Sequence, residues 1–293
     1  MQTLGVILAG GKSSRLFPAT LVTTKQVLPI YDKPLIYYPI STLMLAGVRE
    51  FLIITNPKEK PIFEELFYDS ENTLGIKVMF ATQDYPAGIA DAFNIVNEQF
   101  LGGYDRYALV LGDNIFYGAG MSELLHEAHY DDQERAYCFL TKVHDPERFG
   151  VAELSDQGGV MSIEEKPEHP KSNLAITGLY FFPKNVLDRI RKLKPSNRGE
   201  LEITDLLKTY METGDLTGIK LWRGVVWFDT GTPDSLIEAS NFVQTIQKHQ
   251  EVLVGSPHEI AYNKYWITKD QLNTTALLCG KSSYGKLLSS LED

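Results

Sequence analysis

The chain is expected to be an α/β protein: a mixed, mainly parallel central sheet with helices on both faces and a small C-terminal helical appendage. Three observations predict it. Apolar strand-like runs alternate with helical patterns as far as Ile115, short strands joined by polar links follow, and helical spacing returns towards the C-terminus.

Leu4–Ala9, Phe51–Thr55, Ile76–Ala81 and Tyr107–Leu111 are apolar on both sides of the alternation, as strands covered by two helical layers must be. Pro39–Gly47, Ile62–Tyr68 and Ala90–Phe100 carry apolar residues three and four apart, the period of one helix face. Ligands of such sheets bind beyond the carboxyl ends of the strands, so the segments after Ala9, Ala81 and Leu111 are where a site is sought. Ala136–Val143, Gly150–Leu154, Val160–Lys166 and Ile176–Phe182 then add an antiparallel portion, with Asp156–Gly159 a hairpin turn. Helical patterns resume at Leu201–Tyr210 and Ser235–Gln250, and Pro257 punctuates the final segment. Residues 1–240 are expected to form the catalytic domain and 241–293 an appendage packed on it, together one compact unit.

With 293 residues, 43% of them hydrophobic, the chain can bury a sizeable core. A formal charge of −10 argues against a nucleic-acid binder, whose affinity relies on clustered Lys and Arg. Two cysteines, Cys138 and Cys279, provide neither a disulfide framework nor a zinc pattern. No run approaches the length of a membrane span, which points to a soluble cytoplasmic enzyme. The six histidines are expected at the surface, and Tyr37-Tyr38 and Phe63 to Phe67 in the core or an interface.

Leu8-Ala9-Gly10-Gly11-Lys12-Ser13-Ser14-Arg15 follows the first strand directly. Adjacent glycines let backbone amides approach an anion, Ser13 and Ser14 add hydroxyls, and Arg15 adds a planar fork suited to phosphate. An ordinary glycine turn with solvated cations is the alternative. Gly10 and Lys12 fail the dinucleotide fingerprint. Gly11-Lys12-Ser13 matches the end of a P-loop, but its first glycine would fall at Val6, inside the strand. An ATPase or kinase is therefore the weaker reading.

Asp113, in Leu109-Val110-Leu111-Gly112-Asp113-Asn114, and Asp229, in Trp227-Phe228-Asp229-Thr230-Gly231, each close an apolar run. Brought together they would suit Mg²⁺, which is commonly held by one or two acids plus substrate phosphates. Singly, either is more readily a cap or turn residue than a metal ligand. Glu164-Glu165-Lys166-Pro167 ends another strand, where the proline biases Lys166 towards extended backbone and alternation sends Glu165 and Lys166 to opposite faces unless the strand is irregular.

These segments, with Lys25-Gln26-Val27-Leu28-Pro29, Asp145-Pro146-Glu147-Arg148-Phe149-Gly150-Val151, Thr177-Gly178-Leu179-Tyr180 and Arg198-Gly199-Glu200-Leu201-Glu202, run in one order along the chain. In them the sequence resembles the glucose-1-phosphate thymidylyltransferases over essentially its whole length. The resemblance implies a three-layer, Rossmann-like nucleotidyltransferase fold and transfer of a thymidylyl group from dTTP to glucose 1-phosphate, with uridylyl transfer the nearest alternative. It implies that Arg15, Lys25 and the amides of Gly10, Gly11 and Ser14 hold the triphosphate, and that Gln26, Gln83 and the backbone at Gly88 read the base. Asp113 and Asp229 would bind Mg²⁺. Lys166 would meet the sugar phosphate and Glu165 the sugar hydroxyls, with Asn114, Gly150, Thr177, Tyr180 and Arg198 completing that pocket. A homotetramer is implied, with a second site near subunit contacts for an inhibitory end product; Tyr117 and Gly118 match it, while Ala119 and Asn263 replace His and Arg. Two further departures stand out. Lys12-Ser13-Ser14 replaces Ser-Gly-Thr, and Tyr85-Pro86-Ala87-Gly88-Ile89-Ala90-Asp91 replaces Ser-Pro-Asp-Gly-Leu-Ala-Gln, placing Ala87 and Asp91 beside the base pocket.

Overall fold

The computed structural model describes residues 1–11, 13–85, 87–100 and 103–291, so Lys12 and Pro86, both part of the segments above, lie outside the described residues. In chain order the first elements are β1 (Thr3–Leu8), β2 (Pro29–Ile30), β3 (Lys33–Pro34), α1 (Tyr37–Leu45) and β4 (Glu50–Thr55). There follow α2 (Lys60–Leu66), α3 (Ser70–Leu74), β5 (Lys77–Thr82), α4 (Ala92–Phe100), β6 (Arg106–Leu111), β7 (Asn114–Tyr117) and α5 (Met121–Tyr130). The middle comprises β8 (Ala136–Lys142), β9 (Gly150–Leu154), β10 (Val160–Glu165), β11 (Leu174–Pro183), α6 (Val186–Ile190) and α7 (Ile203–Glu212). The chain ends with β12 (Leu216–Lys220), β13 (Val226–Asp229), α8 (Pro233–Gln250), α9 (Pro257–Asn263), α10 (Lys269–Cys279) and α11 (Ser283–Ser289).

The central sheet runs β10-β9-β11-β6-β1-β4-β5, with β8 beside β11 and β12 beside β8. The run β6-β1-β4-β5 is parallel, and β11 joins it antiparallel to β6. Alternation along β1 divides the core between two faces. Leu4 and Val6 pack with Phe93, Tyr107, Leu206 and Tyr210 on the α4, α6 and α7 side. Ile7 packs with Ile40, Leu43, Leu125 and Leu272 on the α1, α5 and α10 side. Three layers result because successive strand residues point to opposite faces and both faces are covered.

Leu272, Ala276, Tyr284 and Leu288 of the C-terminal helices belong to the same buried cluster as Ile7 and Ile53. The junction expected between residues 240 and 241 falls inside α8, which runs unbroken from Pro233 to Gln250 after a Thr232–Ser235 capping box. Tyr38, Phe63 and Phe67 are buried as expected. Two histidines are not at the surface: His129 is 4% and His258 6% exposed. Burial pushes both rings down to about 4, so they sit in the core as neutral imidazoles, His258 against the Tyr284 hydroxyl.

Candidate active site

Three strand ends of the parallel run build one wall. Gly10 and Gly11 follow β1, Gln83 follows β5, and Gly112-Asp113 follows β6. Gly112 brings this turn close to its neighbours, since a Cβ there would lie 2.8 Å from the Leu8 carbonyl oxygen and 3.1 Å from the Gln26 side chain. Asp113 and Asp229 are distant in sequence but adjacent in space. The β7–β13 ladder sets Asn114 opposite Asp229, and the Asp113 carbonyl accepts from both the amide (3.1 Å) and hydroxyl (2.7 Å) of Thr230. Burial pushes the Asp229 carboxyl above its ordinary value, and the Asp113 charge adds to that; Lys25, Arg15 and Arg148 pull the other way. Lys25 is ion-paired with Asp113.

Asn114, 1% exposed, organises this corner. Its Oδ1 accepts from Trp227 Nε1 (2.6 Å) and the Gly178 amide (3.1 Å), which forces its Nδ2 to donate to Asp113 Oδ1 (2.9 Å).

Two cavities meet here. One, of about 430 Å³, lies between β11, β9 and the end of β13 and is lined by Arg15, Asn114, Gly150, Tyr180 and Asp229 among others. The other, of about 290 Å³, is lined by Gly10, Gly11, Lys25, Gln26, Gln83, Gly88 and Arg198. Asp113, Glu165, Lys166, Leu111 and Ile89 line both, so these residues form the boundary that two adjoining ligands would share. The larger cavity opens where β11 loses its register against β8 between Ile176 and Tyr180.

Lys166 departs from the extended backbone expected before a proline. It has φ +42°, the left-handed region that costs a non-glycine residue on the order of 1–3 kcal/mol. This break at the end of β10 replaces strict alternation, and Glu165 and Lys166 therefore line the same cavities, with Nζ 3.7 Å from Glu165 Oε1. Ser13, which replaces the glycine that the resemblance implies, is likewise left-handed at φ +44°. Gly88 has φ +103°, and a Cβ there would come within 2.4 Å of the Leu201 carbonyl oxygen; only glycine lets this loop run against that backbone.

The expected residues do not all reach the site. Thr177 is fully buried, lines neither cavity and donates its hydroxyl to the Phe139 carbonyl (2.9 Å), so it holds the β11 irregularity in place. Ser14 opens a short 3₁₀ turn and also lines neither cavity. Arg198 lies on the smaller cavity rather than the larger, gripped by Glu202 (2.8 Å) and within 3.3 Å of Glu165. Gln26, which by its type belongs on a surface, is 3% exposed. Arg148, Trp227, Gly178 and Thr204 also line the larger cavity. Arg148 lies in a motif that carries the resemblance, whereas Trp227 had no signal beyond preceding Asp229.

Among the described residues, no helix is long and apolar enough to cross a membrane, and no cluster of three or more His, Cys, Asp or Glu forms a ready metal cage. The nucleotidyl transferase family model matches residues 4–246. A glucose-1-phosphate thymidylyltransferase of Xanthomonas campestris pv. campestris is 48% identical over 99% of this chain and 97% of its own length. A Bacillus anthracis crystal structure given the same assignment, solved with sucrose, superposes with a TM-score of 0.74 at 38% identity, covering 82% of this chain and 94% of that one. A UDP-glucose pyrophosphorylase solved with UDP-glucose gives a TM-score of 0.72 at 26% identity, over 84% and 99% of the two chains. The family model over residues 4–246 and the 48% identity across nearly the whole chain place the protein in the nucleotidyl transferase family, among the glucose-1-phosphate thymidylyltransferases.

Proposed function

We propose that the chain transfers a thymidylyl group from dTTP to glucose 1-phosphate, giving dTDP-glucose and pyrophosphate. The observation that carries this reading is the shared wall: Asp113, Glu165 and Lys166 line both cavities at once. The smaller cavity, with two glutamine amides and the Gly10-Gly11 backbone, suits a nucleotide, and the larger, with Glu165, Tyr180 and Lys166, suits a phosphorylated sugar.

The attacking group is a phosphate oxygen that is already anionic at neutral pH, so no general base is needed. An anhydride is broken and a similar one made, and the barrier lies in bringing two anions together in line. Lys166 meets the incoming phosphate and Arg15 and Lys25 neutralise the triphosphate. Held geometry of this kind is worth as much as about 7–11 kcal/mol of barrier. The two adjacent carboxylates fit a divalent ion: burial and, after it, the Asp113 charge push the Asp229 carboxyl upward, and a pair of protein acids leaves coordination positions for phosphates. Asp113 and Asp229 would hold Mg²⁺, which when bound supplies charge neutralisation at the phosphates. A cytoplasmic homotetramer is part of the same reading, carried by the resemblance.

The test is a panel of nucleoside triphosphates crossed with hexose 1-phosphates, read as pyrophosphate release. The dTTP and glucose 1-phosphate pair should give the highest kcat/KM. Preference for UTP would favour uridylyl transfer, and phosphate release without any sugar would favour an ATPase.

A further inference from the structure

We propose that Asp91 is a positioning residue that fixes which end of the Gln83 amide meets the nucleobase, and so selects pyrimidines bearing an N3–H over cytosine. The proposal rests on the nucleotide reading of the smaller cavity given above and concerns its specificity.

Gln83 lines that cavity and Asp91 does not. The Gln83 Nε2 donates to Asp91 Oδ2 at 2.8 Å, and the other carboxylate oxygen, Oδ1, accepts from Asn94 Nδ2 at 2.9 Å. An ionised carboxylate only accepts, so it holds the amino end of Gln83 and leaves Oε1 as the free end. Asp91 immediately precedes α4 (Ala92–Phe100), the usual place for a carboxylate that caps backbone amides. Here its carbonyl receives the Asn94 and Ile95 amides, while its side chain is committed to two side-chain amides instead. That is an arrangement for orientation rather than capping.

Gln26 complements it. Thr24 Oγ1 donates to Gln26 Oε1 at 2.5 Å, leaving the Gln26 Nε2 as the end without a partner among the described residues. One free carbonyl and one free amino group are the counterpart of an imide edge, in which N3–H donates and a ring carbonyl accepts. Cytosine reverses both, with an acceptor at N3 and an amino group at C4. A wrongly paired polar group in such a pocket forfeits more than a missing methylene would, which makes amide orientation a sharp discriminator.

Asp91→Asn tests this. Its single acceptor stays with Asn94, its amino end faces Gln83, and the Gln83 amide turns over to present Nε2. We expect kcat/KM for dTTP to fall roughly tenfold, carried by KM with kcat nearly unchanged, while that for dCTP holds or rises. Asp91→Glu, which still only accepts, should keep the wild-type dTTP to dCTP ratio. A ratio in Asp91→Asn equal to wild type overturns the proposal. So does a KM rise by the same factor for both nucleotides, which is what mere loosening of the loop would produce. A wild-type chain that consumes no pyrimidine triphosphate overturns the underlying reading as well, and the wild-type control alone reveals that case.

Discussion

Gly88→Ala is the substitution whose outcome the backbone dictates most directly. A Cβ at residue 88 would lie 2.4 Å from the Leu201 carbonyl oxygen, 2.7 Å from its nitrogen and 2.8 Å from its carbonyl carbon, all backbone atoms that no rotamer change can move. Leu201 is fixed there by its own amide donating to Ala87 (2.7 Å) and by the Ala90 amide donating to it (3.1 Å). Relief requires residues 87–90 to withdraw, which loses these two hydrogen bonds at about 1 kcal/mol each. The φ of +103° adds strain of about 1–2 kcal/mol for a residue with a Cβ. The sum is about 3–4 kcal/mol, which for a chain of this size lowers Tm by roughly 6–16 °C. Scanning calorimetry reads that shift, and pyrophosphate release reads the second effect, a rise in the dTTP KM that exceeds the rise for glucose 1-phosphate. A variant with wild-type Tm and wild-type dTTP KM would refute the assignment of this loop to the base pocket.

Asp229→Asn should lower turnover by at least about a hundredfold, the scale of losing a preorganised electrostatic group. Its Tm should not fall, because the substitution removes a buried charge that Asp113 repels; near-normal turnover at saturating magnesium would remove Asp229 from the metal site. Lys166→Ala should raise the glucose 1-phosphate KM about tenfold or more, as expected for a lost charge-assisted hydrogen bond. An unchanged KM and turnover would remove Lys166 from the site. Glu259, beside buried His258, has its carboxyl pushed up to about 7, by burial above all, against the pull of Lys33. The folded protein then binds a proton that the unfolded chain releases, so this carboxyl lowers stability as pH rises from about 4.5 through about 7, after which the loss is constant. Glu259→Gln should therefore match wild type in Tm near pH 4.5 and exceed it at pH 8. Equal Tm values at both pH values would contradict the sign.

Much of this protein was legible in its amino acids because the signals are local. Continuous apolar runs such as Tyr107–Leu111 mark strands covered on both faces, and β1, β4, β5, β6, β9 and α8 lie within a few residues of where alternation and periodicity put them. The glycine-rich turn after β1 and the acid after β6 follow from chain order in a parallel sheet. Short elements gave no such signal. β7 and β13 have four residues each, too short for a period to register, and they exist because each supplies the other's hydrogen bonds.

Alternation and periodicity by themselves determined the fold class, and the ordered motifs, through the resemblance they carry, pointed to the reaction family and to most of the residues around the cavities. Only tertiary structure decided how those residues are presented. The β7–β13 ladder makes Asp113 and Asp229 neighbours, a left-handed Lys166 puts two alternating side chains on one wall, and full burial withdraws Thr177 into the core. Each of these depends on contacts between segments far apart in the chain, and on backbone conformations that side-chain type alone disfavours, so local sequence carries no signal for them.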